Sequence, residues 1–194
     1  IRDRGLGFAM KDLLENFFYG ISLMTGRVRV GDYIECDGIL GKVESITYQS
    51  TQVVTWDGSI IAFLNASLFN KNFKNLTRNH SYELVKVPVG VAYGTHVEEV
   101  RRIIVSAIEP LMGVNADGKQ IVSTQQGVKV VISDFGDNSV NLLVTFWVLV
   151  EEKVGFVSRV NEVIYNTLNE NHVEIPFPQR DIYIRKISEV PKSE

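Results

Sequence analysis

The N-terminal segment carries an excess of apolar side chains with the periodicity of a helix. From Gly5 to Thr25 the apolar positions cover most of a helical wheel, and charged residues form only a narrow strip at Lys11, Asp12 and Glu15. Consecutive aromatic side chains point in different directions along such a helix, so one domain covers them only by surrounding it: Phe17, Phe18 and Tyr19. We therefore expect lipid or neighbouring copies of the chain to cover part of this helix.

Glycines interrupt the same helix at Gly5, Gly7 and Gly20. Each lowers helix propensity by about 1 kcal/mol relative to alanine, and close packing against sister helices would account for them. The longest uncharged stretch lies between Asn16 and Arg27, about ten residues, which as helix covers about 15 Å of a hydrocarbon core of about 30 Å. Nothing in the chain is expected to span a membrane alone, and the opening residues lead us to interpret it as part of a longer protein.

After Gly26 the pattern changes to short β-rich runs bounded by turn residues. The strongest turn signals are Asp37-Gly38 and Asp57-Gly58, because Asp and Gly tolerate the positive φ of tight hairpins. Five short strands in about fifty residues predict a small barrel or sandwich of the Sm or SH3 kind. The predicted strands are Asp32–Cys36, Leu40–Tyr48, Thr51–Trp56, Ser59–Leu64 and Phe73–Thr77.

From Tyr82 onward strands and helices alternate. The order β-α-β-β-α-β predicts a ferredoxin-like arrangement, in which two helices cover one face of an antiparallel sheet. The strand from Val140 to Val150 is mostly apolar on both faces, so we expect it in the middle of that sheet. The other predicted elements are a strand with alternating valines from Val85 to Val91, a helix at Val97–Glu109 with stripe Val97, Val100, Ile104 and Ile108, a strand at Val128–Phe135, a helix with stripe Phe156, Val160, Val163, Ile164 and Leu168, and a strand at Ile182–Ile187 after Pro176 and Pro178.

These patterns predict a multidomain α+β protein in four parts. Residues 1–26 form the helix segment, residues 27–80 the small β domain, residues 81–188 the ferredoxin-like domain, and residues 189–194 a polar tail.

The composition and the absence of known motifs argue against nucleic-acid binding, disulfide bonds, metal sites and catalysis. The formal net charge of -3 disfavours nucleic acid as the main partner, since phosphate binding draws on an excess of Lys and Arg. Cys36 is the single cysteine, so no disulfide can form within the chain, and a reducing compartment is the simpler inference. No metal-ligand spacing joins the three histidines, and we expect no metal, cofactor or enzymatic activity: His80, His96 and His172.

Two alternatives remain open. Asp134 and Asp137 flank Gly136 and could act as paired carboxylates, although turn chemistry explains them better. Sm-like and ferredoxin-like folds also serve RNA in other proteins, so a soluble RNA-binding or scaffolding module is the alternative function. The acidic balance argues against it.

Several short motifs occur in a fixed order along the chain. Gly7-Phe8-Ala9-Met10 is followed by Leu13, Asn16 and Gly20, and later by Arg27-Val28-Arg29-Val30-Gly31-Asp32. From about Gly5 to Ile187 the chain resembles the small-conductance mechanosensitive channel (MscS) family, in which a pore helix, a β domain and an α/β domain follow one another. The remaining matches are Gly38 to Val43, Ser50-Thr51, Asp57-Gly58-Ser59-Ile60-Ile61, Val89-Gly90-Val91-Ala92-Tyr93-Gly94 and Ile175-Pro176-Phe177-Pro178-Gln179.

The resemblance implies a homoheptamer in the inner membrane whose central helices line a pore, with most of this portion in the cytoplasm around a vestibule. Ions and small osmolytes would pass through the pore under membrane tension, and membrane lipid would contact the N-terminal helix. Implied pore-lining or gate positions are Gly5, Phe8, Lys11 and Asp12; implied packing or bending positions are Gly7, Asn16 and Gly20; implied membrane-interface positions are Phe17, Phe18, Tyr19, Arg27 and Arg29.

Overall fold

The computed structural model describes residues 2–178, so the predicted strand Ile182–Ile187 and the polar tail lie outside the described residues. Helix α1 (Arg2–Ser22) continues into a π-helical turn (Leu23–Arg27). The elements that follow are β1 (Tyr33–Cys36), β2 (Ile39–Ile46), β3 (Ser50–Thr55), β4 (Ile60–Leu64), α2 (Asn65–Asn70), β5 (Phe73–Asn75), β6 (Tyr82–Val91), α3 (Val97–Ile108), β7 (Lys129–Phe135), β8 (Val140–Leu149) and α4 (Lys153–Glu170).

The chain divides into two compact units. The first comprises residues up to Val85 together with Met112–Gly127 and Phe146–Ser158. The second comprises Lys86–Leu111, Val128–Thr145 and the described residues from Arg159 onward. Each unit is therefore built from separate stretches of sequence.

The first unit contains a five-stranded antiparallel sheet in the order β4-β3-β2-β1-β5. All five strands lie where the sequence predicts them, within one or two residues at most ends. The β1–β2 hairpin turns at Asp37 and Gly38, whose φ values of 52° and 76° match the predicted tight turn. Apolar side chains from the sheet and from the chain that enters it form one core: Leu23, Val28, Ile34, Cys36, Val43, Val53, Phe63 and Leu68.

Two hairpin turns in this unit are held by carboxylates. Lys71 pairs with Asp37, and this contact raises the pKa of the Lys71 ammonium group. Hydrogen bonds from Thr55 and Ser59 lower the pKa of Asp57 in the turn between β3 and β4. Both turns predicted from Asp-Gly pairs are thus confirmed, and their aspartates act through local hydrogen bonds.

Helix α2 is the element that the sequence does not predict. It has six residues, which is too few for an apolar stripe to repeat at helical spacing. Two of its side chains are buried, the apolar Leu68 and the polar Asn65. The helix is stabilised by these tertiary contacts and not by its own sequence propensity.

A three-stranded sheet has the order β6-β8-β7, with β7 and β8 antiparallel, and most of its residues belong to the second unit. Strand β8 is central, as its apolar faces predict. Arg101 on α3 donates a hydrogen bond of 2.7 Å from Nε to the Val130 carbonyl oxygen on β7. Of the predicted helical stripes Val97 and Val163 are only half-buried, and the buried members in this unit are Val100, Ile104, Ile108, Val160, Ile164 and Leu168.

The predicted turn between β7 and β8 forms at the tip of their hairpin. Gly136 donates a backbone hydrogen bond of 2.8 Å to the Ser139 carbonyl oxygen. Asp134 and Asp137 are exposed, and the Asp134 carboxylate accepts a hydrogen bond of 2.9 Å from Ser133. The turn explanation of these two carboxylates accounts for the contacts found there.

The close approach of β2 and β3 depends on Gly41. A Cβ atom at this position would lie 2.5 Å from the Val54 carbonyl oxygen and 2.6 Å from Val53 Cγ1. Gly41→Ala is expected to lower the free energy of unfolding by about 1 to 3 kcal/mol, because the strands must separate to admit the methyl group. Chemical denaturation measures the change.

Gly113→Ala is the matched control for Gly41→Ala, since a Cβ atom at Gly113 would meet no heavy atom within 4 Å. It should leave the free energy of unfolding almost unchanged. If both substitutions had equal effects, the strand contact at Gly41 would not be the cause.

Candidate functional site: the junction of the first helix with the β sheet

Helix α1 carries a broad apolar surface that no other described residue covers. Phe8 is 69% exposed and Phe18 is 62% exposed. The expectation that this helix has more apolar surface than its own chain can cover is confirmed within the described residues. The exposed large apolar side chains of α1 are Phe8, Met10, Leu13, Leu14, Phe17, Phe18 and Ile21.

The opposite side of the helix docks on the sheet through a buried asparagine. Asn65, at the start of α2, is 0% exposed and donates from Nδ2 to the Asn16 carbonyl oxygen (3.3 Å) and to the Thr47 carbonyl oxygen (2.9 Å). Its Oδ1 accepts a hydrogen bond of 3.0 Å from the Thr51 hydroxyl group. One amide side chain therefore joins the helix to both ends of the β2–β3 connection.

Asn16, on α1, also bonds to α2 through its own side chain. Its Oδ1 accepts a hydrogen bond of 3.0 Å from the backbone N–H of Ala66, and its Nδ2 donates to the Asp12 carbonyl oxygen at 2.9 Å. The Ala66 N–H belongs to the first turn of α2, where backbone donors have no partner within the helix. Asn16 thus caps α2 and fixes the rotation of α1 on the sheet.

Gly20 makes this docking possible. A Cβ atom at Gly20 would lie 2.5 Å from Asn65 Nδ2 and 3.4 Å from the Thr47 carbonyl oxygen. One turn after Asn16, the helix backbone therefore rests directly against the buried amide. The sequence led us to expect Gly20 to pack against sister helices, whereas the close contact found in the structure is with Asn65 of the chain's own α2.

Aromatic and cationic groups extend the junction along α2. The rings of Tyr19 and Phe69 lie 4.6 Å apart between centroids, and the Arg27 guanidinium carbon lies 4.3 Å from the centroid of Phe69. Arg27 also donates to the Phe69 carbonyl oxygen at 3.2 Å. Tyr19 and Arg27 are therefore engaged with α2, and the guanidinium–ring contact adds stabilisation of about 0.5 to 1 kcal/mol at such an exposed position.

A carboxylate organises the exit from the helix. Asp32 accepts hydrogen bonds from the backbone N–H of Arg29 (2.9 Å), from Asn75 Nδ2 (2.7 Å) and from the Thr77 hydroxyl group (3.3 Å). Asn75 Nδ2 also donates to the Arg27 carbonyl oxygen at 2.9 Å. The chain that leaves the π-helical turn is thereby tied to the last residue of β5, Asn75, and to Thr77 just after it.

The predicted site residues fall on different faces of α1. Phe8, Lys11 and Asp12 follow the spacing of one helix face and are exposed. Gly5 lies in the same helix, and a Cβ atom at Gly7 would meet nothing within 4 Å, so no packing partner of Gly7 is found among the described residues. Of the predicted packing set, the structure brings together only Asn16 and Gly20, both against Asn65.

The predicted membrane-interface set also divides. Phe17 and Phe18 are exposed and meet edge to face, with centroids 5.6 Å apart, whereas Tyr19 is half-buried against Phe69. Arg29 is exposed, and no partner for its side chain is found within residues 2–178. Arg27 and Tyr19 thus belong to the junction, and Phe17, Phe18 and Arg29 face outward.

Sequence reasoning missed the polar residues that receive the helix, namely Thr51, Asn65, Asp32 and Asn75. Only the tertiary structure shows their role, because an Asn or Asp next to a strand is normally interpreted as a turn residue. No cluster of three or more His, Cys, Asp or Glu side chains that could hold a metal ion occurs in the described part of the chain. None of the helices within residues 2–178 is both long enough and apolar enough to cross a bilayer.

A double-mutant cycle tests the junction. Asn65→Ala is expected to lower the free energy of unfolding by about 2 to 4 kcal/mol, because it leaves buried polar partners unsatisfied. Asn16→Ala should cost less, and the pair should show a coupling energy of about 1 kcal/mol or more because the two side chains share one network. Chemical denaturation of the single and double variants gives these values.

Asn70→Ala is the control for the cycle, because Asn70 is an exposed asparagine in the same short helix. It should change stability by less than about 0.5 kcal/mol and should not couple to Asn16→Ala. Strictly additive effects of Asn16→Ala and Asn65→Ala would rule out the shared network.

Comparison with known proteins connects this geometry to a family. The family model described as "Mechanosensitive ion channel, beta-domain" matches residues 12–78, and the model described as "Mechanosensitive ion channel MscS, C-terminal" matches residues 85–175. The first match begins within α1 and includes the whole junction with the sheet. The two matches together take in most of the chain.

Relatives and solved structures agree with the family models. A small-conductance mechanosensitive channel of Helicobacter pylori is 31% identical over 182 residues, which cover 93% of this chain and 63% of the relative. The crystal structure of Helicobacter pylori MscS in a closed state matches with a TM-score of 0.73 and 30% identity, covering 94% of this chain and 70% of that one. The cryo-EM structure of Arabidopsis thaliana MSL1 shares the fold, with a TM-score of 0.62 at 14% identity over 90% of this chain and 62% of that one.

The chain spans 63% of the length of the Helicobacter pylori relative and 50% of a relative from Aquifex aeolicus, so both relatives contain sequence with no counterpart here. The α+β composition with antiparallel sheets agrees with the shared fold. From the two family models and these relatives, we conclude that the chain belongs to the MscS family of mechanosensitive ion channels.

Proposed function

We propose that the chain forms part of a subunit of a tension-gated channel that releases ions and small osmolytes across the inner membrane. The observation that carries the proposal is the division of α1 into a docked face and an exposed apolar face. A contiguous apolar surface of this kind on a folded domain needs lipid or protein to cover it. The remainder of this portion then lies mostly in the cytoplasm.

The finer architecture of the subunit is part of the same proposal. The five-stranded antiparallel sheet supports a small Sm-like β domain at residues 27–80, after a helix segment at residues 1–26. The order β6-α3-β7-β8-α4, with β8 between β6 and β7, supports a ferredoxin-like domain at residues 81–188.

Assembly into a homoheptamer would bury part of the exposed apolar face of α1. Seven copies of α1 around one axis would bury apolar surface against sister helices and leave the remaining face to lipid. Gly5 and Gly7 would then allow neighbouring helices to approach, since a Cβ atom at Gly7 would meet no heavy atom of residues 2–178 within 4 Å. Native mass spectrometry of the protein in detergent tests the number of copies.

Phe8 is suited to form the gate of such a pore. It shares a helix face with Lys11 and Asp12, and a ring of phenylalanines beside charged residues would be an apolar constriction in an otherwise wet pathway. A narrow apolar constriction gates by losing water, and it conducts when it widens. No catalytic group is needed for this function.

The junction supplies a route from membrane tension to the β domain. Tension that tilts α1 acts on a helix whose lower part is fixed to α2 through Asn16, Gly20 and Asn65. Because buried polar contacts allow few alternative arrangements, the helix end and the sheet would move together. The exposed upper part, with Phe8, would then change its position relative to the axis.

Phe8→Ser tests the gate. In the full-length subunit that contains this chain, reconstituted into liposomes, the substitution should hydrate the constriction and lower the tension at which the channel opens, because serine does not exclude water as the phenyl ring does. Patch-clamp recording of pressure-activated currents measures the threshold.

Phe18→Ser is the matched control, since Phe18 is about as exposed as Phe8 but lies on a different face of the helix. It removes apolar surface from the lipid side and is not expected to lower the threshold. Equal thresholds for wild type and Phe8→Ser would remove Phe8 from the gate, and a channel that never responds to pressure would contradict the proposed function itself.

Anionic lipid is the partner that we propose for the outward-facing base of the junction. Arg29 is exposed beside the docked Arg27, and Phe17 and Phe18 supply apolar surface on the helix above them. Basic residues next to an amphipathic helix attract anionic head groups, with about 1 kcal/mol for each Lys or Arg near the surface. Because Arg27 is already engaged with Phe69, Arg29 should supply the larger share.

Arg29→Gln should weaken binding to vesicles that contain phosphatidylglycerol by about fivefold at low salt. Raising the ionic strength should reduce the difference, because salt screens exposed charges. Arg102→Gln removes the same charge from an exposed position on α3 and should have little effect. If both variants weakened vesicle co-sedimentation equally, net charge and not the position of Arg29 would explain the binding.

A further inference from the structure

The first unit contains a cavity that the proposed gating does not use. It has a volume of about 420 Å³ and lies between the start of β6, the end of β8 and the turn at residues 123–127. Ligand sites in proteins occupy about 300 to 1,000 Å³, so the cavity is large enough for a small molecule. All of its lining residues belong to the first unit.

Three aromatic rings form one side of the cavity, and each is held in place. The rings of His80 and Trp147 meet edge to face, with centroids 5.2 Å apart. The Tyr82 hydroxyl group donates a hydrogen bond of 2.9 Å to the Gln120 carbonyl oxygen, and the Tyr82 N–H donates to His80 Nδ1 at 3.3 Å. These contacts make a fixed apolar wall with a polar rim.

A short turn forms the other side. The Ser123 N–H donates to the Trp147 carbonyl oxygen at 2.9 Å, and the Gly127 N–H donates to the Ser123 carbonyl oxygen at 3.2 Å. Gly127 has a φ of 62°, which closes the turn. The turn is therefore tied to the strand that carries Trp147, and the side chains between its ends lie at the cavity: Thr124, Gln125 and Gln126.

No permanently charged residue lines the cavity, since none of its lining residues is Asp, Glu, Lys or Arg. Apart from His80, every lining side chain is neutral, and the polar ones are amides and hydroxyl groups that both donate and accept hydrogen bonds. No hydrogen bond within residues 2–178 uses the side chains of Gln120, Thr124, Gln125 or Gln126. These groups are free to bind a ligand in place of water.

We propose that this cavity binds a neutral polyhydroxylated molecule of the size of a mono- or disaccharide. The aromatic faces carry partial negative charge and attract the weakly positive C–H groups of a sugar ring. The surrounding amides and hydroxyl groups match alternating hydroxyl donors and acceptors. No Asp, Glu, Lys or Arg lines the cavity, so a charged ligand would lack a permanently charged partner there and an uncharged one is favoured.

This inference does not rest on the proposed channel function, because binding can be measured without a membrane potential or tension. Saturation-transfer NMR on the protein in detergent would use glucose, sucrose and trehalose as probes, with gluconate and glucosamine as charged comparators. At least one neutral sugar should give a saturable signal, and the charged compounds should give a much weaker one.

Variants locate the site. The double substitution Gln125→Leu with Gln126→Leu should weaken sugar binding by about tenfold, because it removes two amides that can each contribute hydrogen bonds to the ligand. Both side chains are exposed, so the fold should be retained, and an unchanged unfolding temperature checks this. Gln49→Leu changes an exposed glutamine outside the cavity and should leave binding unchanged.

The outcomes separate clearly. A signal that rises linearly with sugar concentration reflects a solvent effect and overturns the proposal, as does equal binding by the double variant and the wild type. Preferential binding of gluconate or glucosamine would overturn the inferred ligand class. None of these results would affect the patch-clamp test of Phe8.

Discussion

The orientation of the first helix depends on one buried amide. Apolar surfaces alone let a helix slide or rotate on a sheet, because the hydrophobic effect has no direction. Asn65 removes that freedom, since its three hydrogen bonds to Asn16, Thr47 and Thr51 are satisfied in one arrangement. An unpaired amide at this buried position would cost about 1 to 3 kcal/mol, so a displaced helix must either break the contacts or carry the sheet with it.

A second polar centre acts where the helix ends. Asp32 joins the backbone of Arg29 to Asn75 and Thr77, and the buried side chains of Leu23 and Val28 enter the core of the sheet between the two centres. Leu23 begins the π-helical turn and Val28 follows it, and the Val28 N–H donates a hydrogen bond to the Leu23 carbonyl oxygen across the turn. The lower helix is thus fixed at both ends, whereas Phe8, Met10, Leu13 and Leu14 higher on the helix are left exposed by the described residues.

Much of this arrangement could be predicted from the pattern of apolar and polar residues along the sequence. The strands of the first sheet, the central position of β8 and the apolar excess of α1 all follow from which residues repeat at spacings of two or between three and four. Helix α2 and the role of Asn65 could not, since a six-residue helix has no period and a buried amide looks like any loop asparagine until its partners are known. Asn16 and Gly20 were identified through the resemblance, but the residue that receives them was not.

The first unit is completed only by residues far along the chain. Its sheet ends at β5, yet Met112–Gly127 and Phe146–Ser158 also belong to it. Contacts of such long sequence separation form late and slow folding, because loop-closure entropy is lost before they stabilise the chain. Synthesis adds about 5 to 20 residues per second, so several seconds pass between the emergence of α1 and that of Met112–Gly127, and the first unit cannot be complete before then.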